Sequence, residues 1–233
     1  MGLDVLRWGG DRLRAGPWRG DDQVAYLAPH PAGPPPTAEA VRRTCGVLAE
    51  RGYREVVTAA LGPAESQGFL LAGFTVRERL HLLAHEMRKL PPVPSGAPLR
   101  RGRRTDRAAA LDVDAAAFDS FWRLDAAGLE EAMTATPTCR FRIAEVRGVA
   151  GYAVTGRAGD RGFLQRLAVD PAHAGHGLGG ALVIDSLRWL ERRGVARTVV
   201  NTQERNTRAL ALYERLGFRL QPGGLAVLHA PLA

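Results

Sequence analysis

This chain has one lysine, two cysteines and few aromatic residues, and each scarcity closes off a class of protein. Cys45 and Cys139 are too few and too isolated to frame a disulfide scaffold or a metal site, so both read as buried free thiols. No apolar run is long enough to span a bilayer, and the opening MGLDVLRWGGDR lacks the apolar segment of a signal peptide. The expectation is a cytoplasmic protein with no membrane partner. Lys89 is the sole lysine, so the formal net charge of +8 rests on arginine. Arginine beside abundant alanine and glycine reflects genome composition more readily than a DNA partner. The densest basic run, RRGRR at 100–104, has no interleaved aromatics, so nucleic acid is not an expected ligand. An anionic small ligand suits the same field.

What is present is ordered along the chain. A length of 233 residues buries a sizeable core and fits one large domain or two small ones. PPVPSGAP at 91–98 cannot form a helix or a central strand, and reads as a linker or surface crossover between residues 1–90 and 99–233. Beyond it the pattern predicts helices over 105–119, capped by Thr105 or Asp106, and over 125–133. Strands follow at 139–146, 151–156 and 163–169, then a glycine-dense loop, a helix to Arg193, a strand at 197–202 and a helix carrying Tyr213. Two short strands, at 218–221 and 225–229, close the chain.

The first part echoes the second. Pro29 lies 142 positions before Pro171, and the same offset relates Leu48 to Leu190, Arg51 to Arg193 and Gly52 to Gly194. After a two-residue deletion, Gly73-Phe74 falls on Gly217-Phe218 and Phe69 on Tyr213. Where the echo fails is informative. Pro34-Pro35-Pro36 lie on His176-Gly177-Leu178, and prolines have no N–H to offer a ligand. The front part reads as scaffold.

The loop in the second part is Ala174-Gly175-His176-Gly177-Leu178-Gly179-Gly180, set between a strand and a helix start. Helix N-terminal amides and the helix dipole favour anions there, and glycines let the backbone approach closely. Downstream come Asn206, Tyr213 and Gly217-Phe218. Loop and downstream pattern together resemble the GNAT acetyltransferase superfamily over 99–233, and 1–90 resembles the decayed second half of another copy. The family signature opens on Arg or Gln; here that position is Ala174, while both glycines are kept.

The resemblance implies an α/β fold: a mixed, mostly antiparallel twisted sheet flanked by helices, preceded by a degenerate half-domain. It implies acetyl-CoA as co-substrate, its pyrophosphate held by the amides of residues 174–180. Leu167, Ala168 and Val169 would form the strand that pairs with the pantetheine arm, splayed from the strand at 197–202. The N–H of Val169 or Asp170 would polarise the thioester carbonyl. Asn206 matches the family asparagine beside the CoA arm, and serves equally as a helix N-cap. Tyr213 would protonate the departing thiolate, though it also shares an apolar helix face with Ala209, Leu212 and Leu216.

The general base stays open. In the branch that acetylates ribosomal protein N-termini a Glu lies five residues before the asparagine; that position here is Asn201, which cannot act as a base. Glu204, Glu145 and His229 are candidates, each also readable as an ordinary surface or strand residue, and water suffices for an α-amine of pKa about 8. Phe118, Asp119 and Trp122 sit where the family builds its acceptor pocket, and packing at a helix end explains them as well. The resulting expectation is direct acetyl transfer to a primary amine of a small molecule or peptide, in a ternary complex. Protein N-terminal acetylation and a non-catalytic acyl-CoA-binding module are the alternatives. Whether the front part packs within the chain or in a homodimer is not legible.

Overall fold

The computed structural model describes residues 3–232. The chain opens on three strands, β1 (Asp4–Trp8), β2 (Asp11–Trp18) and β3 (Asp21–Pro29), followed by α1 (Ala38–Glu50), β4 (Glu55–Leu61), α2 (Pro63–Leu71) and β5 (Thr75–His85). After the proline-rich segment come β6 (Leu99–Arg101), α3 (Arg107–Ala117), α4 (Ala126–Thr134) and the strands β7 (Thr138–Glu145), β8 (Val149–Ala158) and β9 (Arg161–Val169). The last elements are α5 (Leu178–Glu191), β10 (Arg197–Gln203), α6 (Thr207–Arg215), β11 (Arg219–Leu220) and β12 (Leu225–Pro231). Among the described residues, no helix is long and apolar enough to cross a membrane.

These elements form two compact units. The first holds the chain up to Leu82 with Asn201–Asn206 and the segment from Gln221; the second holds Leu83–Val200 and Thr207–Leu220. The division departs from the expected 1–90 and 99–233. Its cause is β12, which fills the slot between β4 and β5 and pairs antiparallel with both, so the C-terminal strand completes the first unit. The proline-rich segment is a pinned crossover, since the Arg188 guanidinium donates to Pro91 O at 3.0 Å and to Leu90 O.

In the first unit the strand order is β1-β2-β3-β4-β12-β5, with β3 and β4 parallel. Thr37 starts α1 by accepting the Ala40 amide at 3.2 Å, and Val41 and Leu48 bury the face that meets Leu13, Leu27, Leu61 and Phe69. In the second unit the order is β10-β9-β8-β7-β6: an antiparallel meander whose last neighbour, β10, runs parallel to β9. Alternating residues of β8 face two separate cores. Ala153 packs with Leu182, Leu187 and Phe218, while Tyr152 and Val154 pack with Ala110, Val113 and Leu129. The mixed, mostly antiparallel sheet flanked by helices is thus present.

Details of α3 differ from expectation. A 3₁₀ turn over Arg104–Asp106 precedes the helix, and Asp106 stands at its N-cap position without a side-chain cap hydrogen bond. The Asp106 carboxylate accepts the Arg103 amide at 2.7 Å and the Arg100 fork at 2.7 and 2.8 Å, which holds its pKa down to about 2. The helix stops at Ala117, because Phe118 is already extended.

The sequence echo is structural too. Adding 142 to the bounds of β4 gives those of β10, and adding 144 to those of α2 gives those of α6. Phe69 packs edge-on against Phe74 at 5.3 Å, as Tyr213 packs against Phe218 at 5.6 Å.

Candidate active site

The glycine loop is built by two left-handed residues. At the end of β9, Asp170 accepts the Ala172 amide at 2.8 Å and sets a 3₁₀ turn over Pro171–His173. Gly175 (φ +85°) and Gly177 (φ +79°) then reverse the chain into α5, at backbone angles that side-chain-bearing residues rarely adopt. The first helical bond runs from Ala181 N to Gly177 O at 3.0 Å. Among the described residues, the amides of Gly175, His176, Gly177, Leu178, Gly179 and Gly180 donate to no protein acceptor. Ala174 is the exception within the expected set, because its N–H bonds Pro171 O at 3.1 Å. Six free donors at the positive end of a 14-residue helix, with no acidic residue in its first turn, make a strong anion cradle. Gly179 and Gly180 are not sterically required, since a Cβ there would meet Leu212 at 3.4 and 3.8 Å. His176 is exposed, with Nδ1 3.2 Å from His173 O.

Beside the loop, β9 outruns its parallel partner. The pairing of β10 with β9 ends at Val199↔Phe163, leaving Leu164–Val169 beyond the last pair. On its other edge β9 pairs with β8, where Asp170 N donates to Ala150 O at 2.9 Å. In an antiparallel ladder, bonded pairs alternate with non-bonded ones. With Ala150 and Asp170 bonded, Gly151 and Val169 form the next, non-bonded pair, so the Val169 N–H turns away from β8. The Leu167 N–H turns the same way by the same alternation. Of the two donors expected at this point, Val169 is available and Asp170 is spent. The Leu167 and Val169 side chains pack on the core under α5, and that of Ala168 on the opposite one.

Tyr213 lies on α6 in the same core as Leu178 and Leu182, 5 % exposed. Burial raises its phenol above the usual value, with the Arg166 charge opposing, so it is protonated at neutral pH. Asn201, Glu204 and Asn206 fall in the first unit, where Asn206 N closes a turn on Gln203 O at 2.9 Å. Two base candidates are committed elsewhere. The Arg100 fork grips Glu145 at 2.8 and 3.0 Å and lowers its pKa, and His229 Nδ1 lies 3.1 Å from Glu55. Burial pushes the Cys45 thiol up to about 11 and raises that of Cys139, so neither presents a thiolate nucleophile.

Under the segment between α3 and α4 sits a buried charge network that sequence reasoning missed. Asp114, fully buried, accepts Arg166 Nε and Nη2 at 2.7 Å each, the Tyr152 hydroxyl at 2.5 Å and the Leu124 amide at 2.8 Å. The Arg166 guanidinium also donates to Trp122 O at 2.7 Å and lies 3.6 Å over the Phe118 ring. Phe118 and Trp122 are therefore fastened to β9 through one arginine. Asp119, exposed, accepts the Trp122 amide on Oδ1 at 3.3 Å. The available signal was polarity out of place: Asp114 within AAALDVDAAA, and Arg166 within FLQRLAV.

Residues 109–218, which carry the loop, Val169, Arg166 and Tyr213, match the acetyltransferase (GNAT) family. The likeness to the GNAT family lies in this part of the chain. Over 150 residues the chain is 37% identical to the mycothiol acetyltransferase of Salinispora arenicola, covering 55% of this chain and 46% of that one. Over 78 residues it is 38% identical to the ribosomal protein bS18-alanine N-acetyltransferase of Escherichia coli, covering 34% and 53%. The matched stretches thus span about half the length of these GNAT relatives. A GNAT-fold neighbour, the tandem GNAT protein from the clavulanic acid biosynthesis pathway, superposes with a TM-score of 0.67 at 18% identity, over 98% of this chain and 82% of that one.

Proposed function

We propose that this protein moves the acetyl group of acetyl-CoA to a primary amine of a small molecule or peptide, by direct attack. The observation that carries the reading is the set of six unpartnered amides from Gly175 to Gly180 at the start of α5, matched to a pyrophosphate. Because the family's leading Arg or Gln is Ala174, the grip is exerted by backbone rather than by a side chain. Acetyl-CoA supplies a thioester activated for acyl transfer. The Val169 N–H, left free by the end of the β10 pairing, is placed to donate to a carbonyl oxygen as charge builds there. Tyr213, kept protonated by burial, returns a proton to the leaving thiolate. The amine proton goes to water, since Glu145 is held by Arg100 and His229 Nδ1 is turned to Glu55. The first unit is a degenerate copy of the same half-fold, with Pro34–Pro36 where amides would be needed and Phe69 where the phenol would be.

The names of the relatives divide between mycothiol and the alanine of a ribosomal protein, and Asn201 in place of a glutamate favours the small-molecule amine over a protein N-terminus. Free thiol release from acetyl-CoA, followed across amino sugars, amino acids, peptides and aminoglycosides, tests the proposal. Release dependent on at least one amine is the expected result. Acetyl-CoA binding without release against any of them would leave a non-catalytic acyl-CoA-binding module instead.

A further inference from the structure

At the far end of the second unit lies another concavity that the acetyl-transfer reading does not use. It encloses about 600 Å³ and is floored by His85, Leu216 and Gly217. Its walls carry Arg88 and Lys89 from the segment after β5, and Arg215 and Arg219 from the end of α6 and from β11. The one carboxylate on its rim, Glu86, lies 3.6 Å from Arg197 and is drawn toward that charge. We propose that this concavity is a second anion site, which takes a small phosphorylated metabolite.

Charge is the first argument. Among the described residues, Arg88, Lys89 and Arg215 form no ion pair, and their like charges repel unless a counter-anion joins them. The chain builds its positive charge from arginine everywhere else, and its single lysine is here. A lysine ammonium is a compact point charge suited to phosphate, and an arginine fork binds phosphate in bidentate fashion.

Backbone shape is the second, independent argument. Met87 and Lys89 both have φ of +54°, in the left-handed region that neither residue favours. Such strain persists only where surrounding contacts over-determine it, and it clusters at ligand clamps. The contacts are present: Met87 N donates to His85 Nδ1 at 2.9 Å, and Arg188 holds the carbonyls of Leu90 and Pro91. Gly217 (φ +93°) approaches His85 so closely that a Cβ would sit 3.0 Å from Nε2, which keeps the floor open.

Size and place identify the ligand class. The volume is that of a small-molecule site, and the lining has no Phe, Tyr or Trp, its one ring being His85, buried edge-on against Phe218, which disfavours stacked bases of single-stranded nucleic acid. Nor is this a part of the glycine loop. Arg188, which pins the 85–91 segment, lies ten residues along α5 from Leu178, or roughly 15 Å at the helical rise.

Calorimetric titration of the full chain with inorganic pyrophosphate tests the assignment. Lys89 and Arg215 are exposed, so K89A/R215A, introduced into a chain whose glycine cradle is already disabled by G175A/G177A, should keep that chain's far-UV spectrum and melting temperature while losing its pyrophosphate affinity at least tenfold. G175A/G177A alone, which distorts the other anion cradle, should still bind pyrophosphate. Failure of the wild type to bind, or loss in G175A/G177A with retention in K89A/R215A, would overturn the proposal. So would tighter binding of an oligothymidylate than of pyrophosphate through the same two side chains. A chain that binds pyrophosphate through Lys89 and Arg215 but does not bind acetyl-CoA would sink the acetyltransferase reading alone.

Discussion

Substituting Asp114 with alanine is expected to lower stability by about 3–5 kcal/mol, the usual loss when one partner of a buried ion pair is removed. Its carboxylate has four donors, from Arg166, Tyr152 and the Leu124 amide, and none of it reaches solvent. Without it, the Arg166 side chain, 12% exposed, keeps its charge with no counter-ion, and the Tyr152 hydroxyl is left unsatisfied. In thermal unfolding this corresponds to a Tm lowered by about 10 °C. The double change Asp114→Leu with Arg166→Met removes both charges and should be much milder than either single change. A D114A protein that melts within about 2 °C of wild type would show that the pair carries little stability. The network also fastens the segment between α3 and α4, because Arg166 bonds Trp122 O and lies over the Phe118 ring.

Tyr213→Phe should reduce kcat about 100- to 10,000-fold, the range a positioned general acid contributes, while acetyl-CoA affinity and melting temperature stay near wild type. The small structural cost is legible within the chain itself. Phe69, at the equivalent place in the first unit, is fully buried and packs on Phe74 much as Tyr213 packs on Phe218. Burial raises the phenol pKa, so the proton is retained as pH rises past the ordinary phenol value of about 10. The rate should therefore show no alkaline fall from Tyr213 below that pH. Unchanged turnover in Y213F would remove the general-acid role and leave the residue as core.

Much of the second unit was legible because its signals are local. The meander strands, the glycine turn and the Gly-Phe stop each depend on neighbours within a few residues. Long-range pairings were not. Asp114 and Arg166 are 52 positions apart, and each alone looks like one polar residue in an apolar segment. Insertion of β12 between β4 and β5 joins residues about 170 positions apart, so no composition boundary marks it. The choice of Val169 over Asp170 needed the ladder register, which only the β8 pairing supplies. Ala174 looked like part of the cradle by position, but the preceding 3₁₀ turn consumes its amide.

The central claim is that backbone amides shaped by Gly175 and Gly177 hold acetyl-CoA, and one calorimetric titration tests it most directly. Alanine in the left-handed region costs about 1–2 kcal/mol at each position, so G175A/G177A should weaken acetyl-CoA binding at least tenfold. Gly52→Ala supplies the matched control, since Gly52 (φ +92°) carries the same backbone strain at the end of α1 in the first unit. The account predicts one acetyl-CoA per wild-type chain, weakened by G175A/G177A and untouched by G52A. No binding to the wild type, or equal weakening by both variants, would contradict it.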